Sequence, residues 1–203
     1  MSEWTPPEPI PVLLLAAGAS TRFGDDKLLA PLGGQPLLTW VFEALQDVVP
    51  IDHVLVVTGP TNAARRDLCE LAGFATIVAD DAARGMRWSL HAGLAACPPT
   101  VPGAVVVLGD DPLTIRALPG VLATARADLD RIVAVRRTPV VPHPVYLPRR
   151  SWPAPPKTDD DTGLRDLLGD ESVCWIDGDD VAPIDVDEPA DLARLARLLA
   201  PRT

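Results

Sequence analysis

The chain has 203 residues, with 18 Lys+Arg against 28 Asp+Glu for a formal net charge of −10, and 47% of its residues are hydrophobic. These figures exclude a disordered chain, and the length predicts one domain with a substantial core rather than a stapled miniature. The acidic balance excludes a polyelectrolyte-binding face and argues against nucleic acid as the main partner. Met1–Pro11 is acidic and proline-rich with no long apolar run, so neither a leader nor a membrane span is expected. Cys69, Cys97 and Cys174 lie far apart and form no CxxC, which reads as a reduced, cytoplasmic protein with structural thiols.

In chain order, Val12–Ala16 is short and apolar and ends in a glycine-containing turn, the pattern of a buried strand. Leu38, Val41, Phe42, Leu45 and Val48 recur at helical spacing within Pro36–Val48, and Pro36 suits a first helical turn. Val54–Thr58 reads as a second strand closed by Gly59-Pro60, Thr61–Ala72 as a helix stopped by Gly73, and Thr76–Ala79 as a third strand. A helix over Arg87–Ala96 and a fourth strand over Ala104–Leu108 follow. Strands apolar on both faces, alternating with helices of about ten residues, predict a parallel sheet covered on both sides. Its ligand should sit beyond the carboxyl ends of the strands.

The C-terminal half is less regular. Thr138–Pro156 holds seven prolines in 19 residues. That excludes a continuous helix or a central strand and predicts an excursion from the sheet, an edge hairpin or a lid, with one extended piece at Pro144–Leu147. A short helix is expected over Thr162–Leu168, a strand over Val173–Ile176 and a terminal amphipathic helix over Asp191–Leu199.

Three segments carry candidate chemistry. The first runs from Leu15 to Lys27, LAAGASTRFGDDK, directly after the first strand. Small residues at 16–20 let backbone N–H groups approach a phosphate, and Arg22 and Lys27 bring two cations to the same loop. It is neither a Walker loop nor a dinucleotide fingerprint, since GxxxxGK[ST] and GxGxxG are both absent. The alternative is a glycine turn with solvated charges. The second segment is Gly109-Asp110-Asp111-Pro112 after the fourth strand. Asp110 is placed to hold Mg²⁺, which takes one or two carboxylates plus phosphate oxygens, whereas Asp111-Pro112 can simply start the next helix. The third is Asp185-Val186-Asp187-Glu188-Pro189-Ala190-Asp191, in which Asp187 and Asp191 suit helix capping and Asp185 is the spare acid for a metal site. The 16 arginines against two lysines, Lys27 and Lys157, make a retained lysine notable, because the compact ammonium differs from the flat guanidinium fork.

LAAGASTRFGDDKLLAPLGGQPLL resembles the nucleotide-binding signature of the MobA-like nucleotidyltransferases, which join a nucleotide to molybdopterin. The resemblance continues through Gly85-Met86-Arg87-Trp88-Ser89-Leu90, GDDPL, His143-Pro144-Val145, Asp161-Thr162-Gly163-Leu164-Arg165 and DVDEPADL, and so from about residue 10 to 199. It implies a single Rossmann-like α/β domain spanning 1–203, with a mostly parallel mixed sheet and helices on both faces. It further implies a Mg²⁺-dependent transfer from a nucleoside triphosphate with release of pyrophosphate. By position, Leu15, Ala16, Ala17 and Gly18 would border the nucleotide. Arg22 and Lys27 would meet its phosphates, Asp110 the metal, and Ser89 the base or ribose. LAAG rather than LAGG resembles the cytidylyl members more than the guanylyl ones, which favours CTP over GTP. The implied acceptor is of molybdopterin type, with a molybdoenzyme as partner. Asp80 stands where relatives often carry Asn, Pro142 where they carry Gly before the His-Pro pair, and Asp160 where they carry Gly. Two other readings remain open: the same nucleotide site serving a sugar-1-phosphate or another phosphate acceptor, and a non-catalytic module carrying a cofactor to a molybdoenzyme.

Overall fold

The computed structural model describes residues 10–20, 23–136, 143–158, 164, 168, 173–178, 186 and 188–199. The predicted first strand is β1 (Val12–Leu15), and its four side chains are all buried. A short hairpin of β2 (Pro31–Leu32) and β3 (Gln35–Pro36) turns at Gly33 and Gly34, whose φ angles of 62° and 95° favour glycine. Then come α1 (Leu37–Gln46), β4 (Val54–Thr58), α2 (Ala63–Leu71), β5 (Ala75–Val78), α3 (Met86–Ala96) and β6 (Gly103–Leu108). Each falls within a residue or two of its predicted range. α4 (Leu118–Ala127), β7 (Val133–Arg136), β8 (Val145–Pro148), β9 (Cys174–Asp177) and α5 (Pro189–Leu199) complete the described elements.

Seven strands form one sheet in the order β5-β4-β1-β6-β8-β7-β9. β8 runs antiparallel to both of its neighbours, and the other pairings are parallel. Alternation of side chains sorts the core into two layers. Val12, Leu14, Val54, Val56, Val105 and Val107 face one side with α1, α4 and the buried Leu195 of α5. Leu13, Leu15, Leu55, Val57, Ala104 and Val106 face the other with Leu90 and Leu94 of α3. This is a single α/β domain with a mostly parallel mixed sheet and helices on both faces. The chain moves outward from β1 to β4 and β5, then returns to the other side of β1 with β6. The strand order therefore reverses at β1 and β6, the place where such sheets open a crevice beyond their carboxyl ends.

The proline-rich stretch departs from the reading made of it. β8 lies inside the sheet between β6 and β7, and all four of its residues are buried. It is neither an edge hairpin nor a lid. The prolines permit this because they bracket the strand: Pro144 precedes it and Pro148 ends it, so Val145, Tyr146 and Leu147 keep their N–H groups for the ladder. Four described strands and helices went unread: β2, β3, α4 and β7. Leu118, Val121, Leu122 and Ala125 carry the helical period, and Ile132–Val135 is an apolar run. Most of the helix expected over Thr162–Leu168 lies outside the described residues.

Gly103 marks where β6 and β8 meet most closely. A Cβ there would stand 2.5 Å from the Leu147 carbonyl oxygen and 2.5 Å from the Tyr146 hydroxyl. Gly103→Ala should therefore cost about 2–3 kcal/mol in a urea unfolding experiment, because backbone cannot step aside. Gly18→Ala, whose Cβ would have nothing within 4 Å, should stay within about 0.5 kcal/mol of the parent.

Candidate active site

The chain leaves β1 through a run of small residues. The Ala16 N–H still donates to the Val57 carbonyl at 2.8 Å, so the loop starts from a fixed rung of the sheet. Ser20 takes a φ of 52°, and the Phe23 N–H closes a turn onto its carbonyl at 3.0 Å. The Lys27 N–H then donates to Ser20 Oγ at 3.3 Å, which folds the loop back toward its origin. Lys27 Nζ consequently reaches Asp110 Oδ2 at 2.6 Å and the Val186 carbonyl at 3.0 Å. Both side chains of the pair are largely shielded, at 16% and 14% exposure.

The two adjacent acids after β6 divide their work. Asp111 is 5% exposed, and its Oδ1 accepts the Leu113 and Thr114 N–H groups at 3.0 and 3.3 Å. It caps the turn that leads into α4, as an Asp-Pro pair does in any αβ connection. Asp110 is left facing a cleft of about 420 Å³. Leu15, Ala16, Ala17, Gly18, Lys27, Ser89 and Asp110 all line that cleft. Ser89 comes from the first turns of α3 and is 4% exposed. Gly85 opens α3 at φ 134°, a turn that a side chain would strain, and Ala82 and Met86 fill the wall beside Ser89.

Seven of the nine predicted site residues thus share one cleft. Arg22 and Asp185 lie outside the described residues. Asp191, assigned to capping, does accept the Glu188 N–H at 2.9 Å, beside the start of α5. Among the described residues no group of three or more His, Cys, Asp or Glu is gathered for a metal, and no helix is long and apolar enough to cross a membrane. Cys69 and Cys97 are buried, and burial pushes both thiols up to about 12, which makes them poor nucleophiles at neutral pH.

One buried cation was missed. Arg65 of α2 is 1% exposed. Its Nη1 donates to the Ala16 and Gly18 carbonyls at 2.7 and 2.9 Å, and its Nη2 to Ser20 Oγ at 3.4 Å. Its Nε donates to Asp26 at 2.9 and 2.8 Å, and Nη2 lies 2.7 Å from the same carboxylate. The signal was present: Arg65, Leu68 and Cys69 share the i, i+3, i+4 face of α2, so the arginine stands on the helix's inward stripe.

His143 lies buried near Asp110. Burial pushes its pKa down to about 4 against the smaller opposing pulls of the Val106 carbonyl and the Asp110 charge. The ring is therefore neutral at pH 7 and supplies no cation to the cleft. Between about pH 6.5 and 4 the unfolded chain takes up a proton that the folded state refuses, so stability falls as pH falls through that window. His143→Asn should flatten that slope by roughly 2–4 kcal/mol between pH 7 and 4, read from urea midpoints of variant and parent.

A family model described as the MobA-like NTP transferase domain matches residues 12–174. A probable molybdenum cofactor guanylyltransferase of Thermococcus gammatolerans is 32% identical over 102 residues, which cover 50% of this chain and 49% of that protein. The chain matches about half the length of this relative. Among solved structures, Rv0371c of Mycobacterium tuberculosis H37Rv superposes with a TM-score of 0.78 at 27% identity, covering 93% of this chain and 98% of that one. The same protein solved in complex with manganese gives a TM-score of 0.75 at 26% identity over the same shares.

Proposed function

From a chain that belongs to the MobA-like NTP transferase domain family, we propose that the cleft binds a nucleoside triphosphate and transfers its nucleotidyl group to a phosphate-bearing acceptor. The observation that carries this reading is the meeting of Lys27 and Asp110. They are 83 residues apart in sequence, yet their charged atoms stand 2.6 Å apart in the cleft that the small-residue loop lines. A phosphate-sized cation and a hard oxygen ligand are thereby brought to one place.

An oxygen of the acceptor's phosphate attacks the α-phosphorus, the bond to the α–β bridging oxygen breaks, and pyrophosphate leaves with the electron pair. The attacking phosphate is already ionised at neutral pH, so no base is required. The work left to the protein is positioning and neutralisation of charge. Lys27, with Arg22, meets the β- and γ-phosphates. The loop at Leu15, Ala16, Ala17 and Gly18 borders the nucleotide, and the Ser89 hydroxyl faces its ribose or base. Asp110 offers the carboxylate oxygen that Mg²⁺ or Mn²⁺ takes, with Asp185 as a second ligand, and the manganese complex of Rv0371c supports a divalent cation in this role. When bound, that cation supplies electrostatic stabilisation of the phosphate oxygens.

The acceptor of this reading is molybdopterin, on the strength of the family and the relative's name, with a cytoplasmic molybdoenzyme as the consumer of the product. For the nucleotide, Ala17 favours CTP: its side chain is 6% exposed on the cleft wall and takes room that a glycine would leave. GTP is the second reading, favoured by the guanylyltransferase name of the relative.

Pyrophosphate release should occur with one of the four triphosphates and molybdopterin, and with no other combination at a comparable rate. Release with a sugar-1-phosphate alone would replace the acceptor, and release with none would replace transfer by a carrier role. Lys27→Ala should lower transfer by roughly 30- to 1000-fold, the ~2–4 kcal/mol expected of a cation in a shielded site. Lys27→Arg should recover part of that, and Asp110→Asn should lower turnover by orders of magnitude with the melting temperature nearly kept. Parent-like transfer by Lys27→Ala would remove the loop from the reaction.

A further inference from the structure

We propose that Arg65 is a positioning residue for triphosphate binding: from behind the loop it turns the loop's amide groups into the cleft. The inference rests on the reading of residues 15–27 as the phosphate loop and adds the part that gives the loop its shape.

A phosphate-binding loop has to satisfy its carbonyls as well as present its amides. A trans peptide points its N–H opposite to its C=O. Presenting N–H groups to an anion therefore turns carbonyls the other way, where they need donors of their own. Arg65 Nη1 supplies both, to Ala16 at 2.7 Å and to Gly18 at 2.9 Å. Fixing these two carbonyls aims the Ala17 and Ala19 N–H groups away from the guanidinium. Ala17, Gly18 and Ala19 line the cleft, and Arg65 does not.

The same side chain fixes the far limb of the loop. Nε and Nη2 grip Asp26 at 2.7–2.9 Å, and Asp26 Oδ1 also accepts the Leu28 N–H at 3.1 Å. Asp26 directly precedes Lys27, whose N–H is bonded to Ser20 Oγ, a second acceptor of Arg65 Nη2. One planar cation therefore joins residues 16, 18, 20 and 26 and sets the origin from which Lys27 reaches Asp110. Only the guanidinium has the fork for this: a lysine ammonium in its place is a single point and cannot bond two carbonyls and a carboxylate along separate directions. A buried arginine serving the core alone would have no reason to place its donors on this loop rather than on its own helix or strand neighbours.

The test uses inorganic tripolyphosphate with Mg²⁺ as the probe, together with the triphosphate the parent turns over, and measures affinity by calorimetry at a temperature where circular dichroism shows each variant folded. Arg65→Lys keeps the charge and most of the volume. It should bind both probes about 30-fold more weakly or worse, raise the KM for the triphosphate, and leave the KM for the acceptor unchanged. Arg65→Met should do the same and also melt earlier. Should Arg65→Met fail to fold, Arg65→Lys alone carries the decision. An arginine with a purely structural role would lower the melting temperature and leave the folded protein's affinity at the parent value. Parent-like affinity in Arg65→Lys therefore overturns this inference while leaving the proposed transfer intact. Failure of the parent itself to bind either probe overturns the phosphate-loop reading and this inference with it.

Discussion

The carbonyl of Leu15 accepts the Gly109 N–H at 3.0 Å, and the whole cleft depends on that bond. It is the last rung between β1 and β6, and both candidate loops leave the sheet directly above it. Parallel pairing forces this arrangement. With Leu15 opposite Leu108, residues 16–20 and 109–111 emerge side by side at the same edge. Gly109 keeps the two close, since a Cβ there would lie 3.2 Å from the Leu15 carbonyl oxygen and 3.3 Å from Leu28. On the other side the Ala16 N–H is tied to Val57, so the loop that follows β1 starts from a point held by three strands. Lys27 can meet Asp110 because the ends of its loop are fixed in this way, not because the two residues attract each other over a long distance.

What could be read in advance follows from how local the cause is. β1, β4 and β6 are apolar runs with both faces buried, and a run of that kind announces itself. The small residues after Leu15 and the acid after Gly109 are legible for the same reason, since each follows a strand whose end is visible. The interior position of β8 is not local. It depends on where two prolines fall relative to a ladder, and Pro144 and Pro148 bracket Val145–Leu147 in a way that composition alone hides. The role of Arg65, though not its inward position, was illegible for a related reason. In AARRDLCEL it stands beside Arg66, and the two look alike. Only the rotation of α2 against the sheet buries Arg65 beneath the loop, while Arg66 bonds the carbonyls of Gly59 and Pro60 nearer the surface. Helical spacing marks the inward stripe, but the interpretation of a charge on that stripe needs the partner 39 residues earlier.

Arg65 behind the loop and Lys27 in the cleft show why residue type matters here. Arg65 is compensated by Asp26 from within the same loop, and its fork is consumed by protein acceptors. Arg65 does not line the cleft. Lys27 meets Asp110 from across the cleft, and its compact ammonium donates to Asp110 Oδ2 and to the Val186 carbonyl. Such a pair can be exchanged. In the proposed transfer, a triphosphate would offer Lys27 a richer anion, and a divalent cation would offer Asp110 a stronger partner. On that reading both ions would find new partners at once, with neither left uncompensated in a shielded place. For a chain of net charge −10 this matters, because such a surface would not attract an anionic triphosphate from afar. In the proposed function the attraction would be built at short range, from a loop that Arg65 holds from behind and a lysine whose carboxylate partner a metal would take over.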